Sequence, residues 1–171
     1  NTVNCAEDKA DVVSLVYAID KAIKGMRLMD KYTVLFIGLI DTGKKTLSYV
    51  NASLADAFLF SHTDGGCSVK HLSPNCCILG IVDLDAVAVS SVPISDGDFL
   101  FLASDGVSEV RNQKGVQLGE SPLFLESLQQ NVLCSPDGCL AKTAALAQEF
   151  CDNKLTDDMT MLAVKINGET K

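Results

Sequence analysis

The sequence contains no tryptophan, few aromatic residues of any kind, and markedly fewer basic than acidic side chains. Aromatic residues make up 6%, and 14 Lys and Arg against 22 Asp and Glu give a formal net charge of −8. Because no basic stripe is available to neutralise phosphates, the composition argues against a nucleic-acid partner. The longest apolar runs, such as residues 34–37 and 99–103, are too short to cross a bilayer, so we expect no direct membrane contact in this segment.

The N-terminus lacks an initiator methionine and has no basic segment followed by an apolar one, so no signal peptide is predicted. We therefore expect residues 1–171 to be a single, partial domain of a longer protein. The seven cysteines include no CxxC pair and have no histidine-rich partner segment, which argues against a zinc site. Their odd number favours free thiols in a reduced, cytoplasmic setting. Sensor or membrane segments upstream in the parent protein would be compatible with that setting.

The hydrophobic pattern predicts helices at both ends of the chain and strands between them. Apolar residues recur at helical spacing from Asp8 to about Met29. Strands joined by short turns follow, among them "YTVLFIGLID", "TLSYVNAS", "AFLFS", "SVKHL" and the stretch at 98–104. Two more helices are predicted in "SPLFLESLQQNV" and "DGCLAKTAALAQEFCDN", before a last strand at 159–166. This order predicts an α+β chain with antiparallel sheet.

Two acidic corners adjoin these strands. Asp105 follows the strand at 98–104, and Asp157 and Asp158 precede the last strand. If the two strands are antiparallel neighbours, Asp105 and Asp157 meet at one rim of the sheet, where a hard divalent cation would relieve their repulsion. Asp-Gly and Asp-Asp are also ordinary turn residues, so a purely structural role stays open.

Four segments occur in order with consistent spacing: "YTVLFIGLIDTGKKTLSYVNAS", "LGIV", "SDGDFLFLASDGVSEVRNQKGVQLGESPL" and "TDDMTMLAVKI". Together they resemble the SpoIIE/RsbU group of metal-dependent serine/threonine protein phosphatases, the bacterial relatives of protein phosphatase 2C. The likeness runs from about Asp11 to Ile166.

The resemblance implies a two-layer antiparallel β-sandwich flanked by helices, here N-terminally truncated, with a pair of Mg²⁺ or Mn²⁺ ions at one edge. It implies that Asp105 and Asp157 are catalytic metal ligands and that Asp158 is an outer-shell or weak-site carboxylate. The metals would activate a water for in-line attack on phosphoserine or phosphothreonine. By analogy, the substrate would be a phosphorylated regulatory protein resembling an anti-anti-sigma factor, in a partner-switching pathway.

The chain departs from the family pattern in two places. The other metal aspartates of the family lie in "GGD"-like and "D-x-x-G-[HK]-G"-like segments, and residues 1–30 match neither. Asp8, Asp11 and Asp20 lie on a helical pattern instead and are expected on a solvated face. In addition, "NASLADAFLF" stands where relatives carry "NAGHNPP". For residues 1–171 alone we therefore expect weak metal affinity and little or no activity.

Three functions stay open from the sequence: the phosphoprotein phosphatase, a catalytically silent phosphatase-fold module for binding or signalling, and a metal-carboxylate hydrolase acting on a small phosphoester. Aspartates in the two upstream motifs of the parent protein would favour the enzyme. The first helix could pack against a second copy to form a homodimer. His62, in a predicted polar loop, and His71, near a strand, have no visible catalytic partner, so surface or structural roles are expected.

Overall fold

The computed structural model describes residues 9–26, 32–63 and 66–167, and within them four helices and seven strands. The chain divides into two compact units, the first comprising Asn1–Leu54 and Ser73–Ile94 and the second Ala55–Leu72 and Ser95–Lys171. In chain order the elements are α1 (Lys9–Gly25), β1 (Leu35–Asp41), β2 (Thr46–Ala52), β3 (Asp56–Thr63), β4 (Gly66–His71), β5 (Ser90–Pro93), β6 (Phe99–Ala103), α2 (Asp105–Ser108), α3 (Pro122–Asn131), α4 (Pro136–Phe150) and β7 (Met161–Lys165).

The first unit contains α1 and an antiparallel sheet with strand order β1-β2-β5. β1 and β2 form the predicted hairpin, and Lys45 takes a left-handed φ of 51° at its tip. Val12 and Val16 of α1 are buried in one cluster with Val50 and Leu79. The helix thus uses the apolar face that its spacing predicts, while the expected ends at Asp8 and Met29 lie outside the described residues.

Asp20 corrects one expectation, because its carboxylate is buried rather than solvated, with 6% of the residue exposed. Its Oδ1 accepts a hydrogen bond from the Gly80 amide at 2.9 Å, and its Oδ2 pairs with Lys24 Nζ at 2.9 Å. Burial tends to raise the pKa of Asp20, but the bonds from Lys24 and Gly80 outweigh it and lower the pKa. The Asp8 residue and the Asp11 side chain lie outside the described part.

The second unit contains an antiparallel sheet with strand order β4-β3-β6-β7. Phe99, Phe101 and Ala103 of β6 are buried in a cluster that also takes in residues of α3 and α4. Ser121 caps α3, since its side chain accepts from the Leu123 amide and Pro122 begins the helix. The expected α+β class with antiparallel sheets is therefore confirmed.

The two histidines lie on β3 and β4. His71 stacks on Phe58 with ring centroids 4.8 Å apart, and its Nε2 lies 2.7 Å from the Ala55 carbonyl oxygen. These contacts fit the structural role that was expected for it. His62 is exposed but belongs to β3, paired with Cys67, rather than to a polar loop. In the described part of the chain, no helix has the length and apolar character needed to cross a membrane.

Candidate metal centre

The pairing of β6 with β7 brings the two acidic corners to one margin of the second unit's sheet. The strands are antiparallel neighbours, and Ala103 at the end of β6 lies opposite Met161 at the start of β7. The ladder continues one residue further, because the Ser104 amide donates to the Thr160 carbonyl at 2.9 Å. The Thr160 amide in turn donates to Ser104 Oγ at 3.0 Å. The predicted adjacency of these strands is thereby confirmed.

A cavity of about 300 Å³ opens at this margin. Asp105 and Asp157 both line it, whereas Asp158 does not. The structure therefore brings Asp105 and Asp157, the two predicted metal ligands, to one cavity, whereas Asp158 lies next to Asp157 in the chain but outside the lining. The full lining is Asp105, Gly106, Glu109, Val110, Arg111, Lys154, Thr156 and Asp157.

Asp105 and Asp157 are held in the same way by the main chain. Asp105 Oδ1 accepts from the Gly106 amide at 2.9 Å, and Asp157 Oδ1 accepts from the Asp158 amide at 2.8 Å. Both residues are exposed, and neither forms a salt bridge with a lysine or arginine in the part of the chain that the structure describes. Each carboxylate is thus oriented by one short local bond without being neutralised.

Asp158 contributes through its main chain. Its carbonyl oxygen accepts from Ser104 Oγ at 3.3 Å, which fastens the segment before β7 to the end of β6. The side chain of Asp158 is exposed. Its role as an outer-shell or weak-site carboxylate stays a prediction.

Gly106 is required by the close approach of the Asp157–Asp158 segment. A Cβ at position 106 would overlap the carbonyl oxygen of Asp158, lie 2.9 Å from its carbonyl carbon and come within 3.5 Å of Asp157 Cβ. Asp-Gly is an ordinary turn pair, but here Asp105–Ser108 forms the single helical turn α2. The glycine provides space between the two acidic segments instead of an unusual backbone angle.

The donors in the cavity fit a hard divalent cation. Mg²⁺ commonly binds proteins through one or two carboxylates, keeping waters and substrate phosphate as its other ligands. Asp105 and Asp157 can supply two such carboxylates on one cavity wall. Among residues 9–26, 32–63 and 66–167, no group of three or more His, Cys, Asp or Glu side chains is arranged to hold a metal.

Asp56 is a buried carboxyl beside this site that the sequence reasoning missed. It begins β3 opposite Ala103 of β6, two residues before Asp105, and only 8% of it is exposed. Its Oδ2 has no hydrogen-bond partner within the described chain. Burial raises the pKa of Asp56 most. A hydrogen bond from the Ser108 hydroxyl and the charge of His71 lower it in part, whereas the charges of Asp105 and Glu109 raise it further. The signal was its position in "NASLADAFLF", where the chain departs from its relatives.

We predict that Asp56→Asn stabilises the protein at neutral pH. The pKa of Asp56 is higher in the folded protein than in the unfolded chain, where it is 3.8. The carboxyl of Asp56 therefore favours folding most below pH 3.8, and the wild type loses this contribution to stability as the pH rises through the folded pKa. Asparagine keeps the shape without the buried charge, so the free energy of unfolding at pH 7 should increase by about 1 kcal/mol. Denaturant unfolding in EDTA, from about pH 4 to pH 7, measures this.

The matched control is Glu126→Gln, which removes an exposed carboxylate from the middle of α3 in the same unit. The control should follow the pH dependence of the wild type. Parallel stability curves for Asp56→Asn and the wild type across this range would contradict the account of Asp56.

Four further residues on the cavity wall also escaped the sequence reasoning: Glu109, Arg111, Lys154 and Thr156. Glu109 and Arg111 stand inside the quoted motif "ASDGVSEVRN", four and six positions after Asp105. Lys154 and Thr156 closely precede Asp157. Proximity to the two aspartates in sequence was the available signal.

A family comparison decides the affiliation of the chain. The sequence model of the family "Stage II sporulation protein E (SpoIIE)" matches residues 2–167 of this chain. This chain belongs to the SpoIIE family. The stated resemblance to SpoIIE/RsbU-type phosphatases related to protein phosphatase 2C is thereby confirmed.

Known relatives and solved structures agree with this family. Protein IcfG of Synechocystis sp. is 26% identical over 139 residues, which are 81% of this chain and 21% of IcfG. The RsbU and RsbW domains of a Mycobacterium tuberculosis protein align with a TM-score of 0.76 at 21% identity, covering 94% of this chain and 44% of that one. The Mn-presoaked SpoIIE phosphatase domain of Bacillus subtilis aligns with a TM-score of 0.61 at 18% identity, covering 99% and 72%.

At these identities the solved structures show the fold, and the helices with two antiparallel sheets of this SpoIIE-family chain match it. The family and the fold are those of protein phosphatases. The chain spans about a fifth of the length of IcfG.

Proposed function

We propose that residues 1–171 form one partial domain of a Mn²⁺- or Mg²⁺-dependent serine/threonine phosphoprotein phosphatase, with Asp105 and Asp157 as its metal ligands. The observation that carries the proposal is that the β6–β7 pairing places both carboxylates on one cavity. Membership of a phosphatase family supports the reaction class.

When bound, a divalent ion supplies an activated water and neutralises charge on the phosphoryl oxygens. The chain's own residues prepare that site. The amides of Gly106 and Asp158 orient the two carboxylates, and the bare Gly106 lets the segments that carry them approach closely. Ser104, at the end of β6, bonds the main chain of Asp158 and Thr160 just before β7 and so fastens the two segments together. Asp158 is proposed as an outer-shell or weak-site carboxylate.

The proposed substrate is phosphoserine or phosphothreonine on a regulatory protein resembling an anti-anti-sigma factor, in a cytoplasmic partner-switching pathway. Support comes from the SpoIIE family and from the structural likeness to a chain that combines RsbU and RsbW domains. The net charge of −8 argues for a protein rather than a nucleic-acid substrate.

The deciding assay compares two substrates with the intact protein and Mn²⁺. We expect release of phosphate from a phosphoserine regulatory protein and much slower release from a small aromatic phosphate. Turnover of the small ester alone would favour the small-molecule hydrolase. Metal-independent binding of the phosphoprotein without any turnover would favour the silent module, and either result would overturn the proposal.

Residues 1–171 alone should bind Mn²⁺ weakly, because only Asp105 and Asp157 are proposed as ligands and the segment matches neither upstream metal motif. Calorimetric titration that showed tight binding of two Mn²⁺ ions to this segment would contradict that expectation.

A further inference from the structure

The cavity that holds Asp105 and Asp157 is also lined by two cationic side chains, Arg111 and Lys154. Neither cation forms a salt bridge with a described acidic residue, although Asp105, Glu109 and Asp157 share the same cavity. Cations that stay unpaired beside three carboxylates are available for an incoming anion. Such an anion needs them, because the carboxylates alone would repel it.

Arg111 is carried by a closed loop. Its main chain pairs with Gln117, and its Nη1 donates to the Gly115 carbonyl at 2.9 Å. Inside the loop, Asn112 Oδ1 accepts the amides of Lys114 and Val116 at 2.9 and 3.1 Å. One guanidinium donor is therefore used to fix the side chain. The guanidinium carries five N–H donors in a planar fork, so the others stay available for oxygen atoms of a ligand.

Lys154 is carried by the turn that ends α4. Asp152 and Asn153 both adopt left-handed φ values, 51° and 59°, and the Lys154 amide donates to the Cys151 carbonyl at 2.9 Å. Gln113 Nε2 donates to Asp152 Oδ2 at 2.7 Å, which ties this turn to the Arg111 loop. Asp and Asn tolerate this conformation, which is common where a helix ends, so the turn closes α4 and sets the position of Lys154.

We infer that Arg111 and Lys154 form an oxyanion clamp that binds the phosphoryl group of the substrate in the cavity. The inference rests on the proposed function and names the side chains that recognise the phosphate. Arg111 offers its planar fork to two phosphoryl oxygens, and Lys154 adds a point charge. The dianion then binds in the cavity that Asp105 and Asp157 also line, where Arg111 and Lys154 offset the repulsion from the carboxylates.

The test measures binding of inorganic phosphate to the intact protein by equilibrium dialysis in the presence of Mg²⁺. Arg111→Gln and Lys154→Gln should each raise the dissociation constant of phosphate about tenfold, as expected for loss of a charge-assisted hydrogen bond. Arg111→Lys should fall between the wild type and Arg111→Gln, because it keeps the charge and loses the fork. With the phosphoprotein, the same variants should raise KM more than they lower kcat.

Lys114→Gln is the matched control, since Lys114 is an exposed cation in the same loop that does not line the cavity. Its phosphate affinity should equal that of the wild type. Equal affinities in all variants, an equal loss in Lys114→Gln, or no phosphate binding by the wild type would each overturn the clamp. The expected binding pattern in a protein that hydrolyses no phosphoprotein would leave the clamp standing and overturn the proposed function instead.

Discussion

Replacing either aspartate of the candidate metal centre should abolish most of the activity while leaving the fold intact. In the intact protein we expect Asp105→Asn and Asp157→Asn each to lower kcat/KM for a phosphoserine protein about 1000-fold, because under the proposed function each removes a ligand from an ion that would stabilise several kcal/mol of transition-state charge. Both residues are exposed and free of salt bridges among the described residues, so the free energy of unfolding should change little.

The measurement is steady-state hydrolysis across a Mn²⁺ titration, paired with denaturant unfolding of each variant. Glu126→Gln, which removes an exposed carboxylate from α3 of the same unit, is the matched control and should retain wild-type turnover. Wild-type activity in both aspartate variants would remove the assignment of Asp105 and Asp157.

Gly106→Ala should be nearly as damaging as loss of a ligand, although it removes no functional group. The added methyl would overlap the Asp158 carbonyl, and the partner atom is backbone, which cannot move aside by changing a rotamer. The Asp157–Asp158 segment must shift away from α2, which separates the two carboxylates. We expect a loss of kcat/KM of about 100-fold or more, as misplacement of catalytic groups by about 1 Å can produce, with a destabilisation of about 1–3 kcal/mol from overpacking.

Gly25→Ala provides the comparison, because a Cβ at position 25 would meet nothing within 4 Å. That variant should keep wild-type activity and stability or gain slightly in stability. Unchanged Mn²⁺ affinity and turnover in Gly106→Ala would show that close approach of the two acidic segments is not needed.

The strands and the rim of the second unit were accessible from the sequence because they depend on local patterns. The apolar run "FLFLAS" and the alternation in "MTMLAV" predict β6 and β7. The aspartates at their ends were predicted to meet at one margin if the strands are antiparallel neighbours, which they are. The helical turn α2 was missed, since Asp-Gly is more typical of a turn and only the contact with Asp158 explains the glycine.

The misjudged residues depend on partners distant in sequence. The helical pattern around Asp20 does not indicate that the Gly80 amide donates a hydrogen bond to the Asp20 carboxylate, which is buried. Asp56 is buried by pairing of β3 with β6, and that register is not written in either strand alone. Arg111 and Lys154 are distant in sequence but line one cavity, and a bond between Gln113 and Asp152 joins the Arg111 loop to the turn after α4. Local periodicity predicts elements, whereas long-range pairing decides which polar side chains share a site.

An anomalous difference map from crystals of the intact protein grown with Mn²⁺ tests the metal assignment most directly. It should show a manganese peak bonded to carboxylate oxygens of both Asp105 and Asp157, at about the 2.0–2.2 Å expected for hard divalent ions of this size. A manganese peak elsewhere, with these two side chains free of metal, would contradict the assignment.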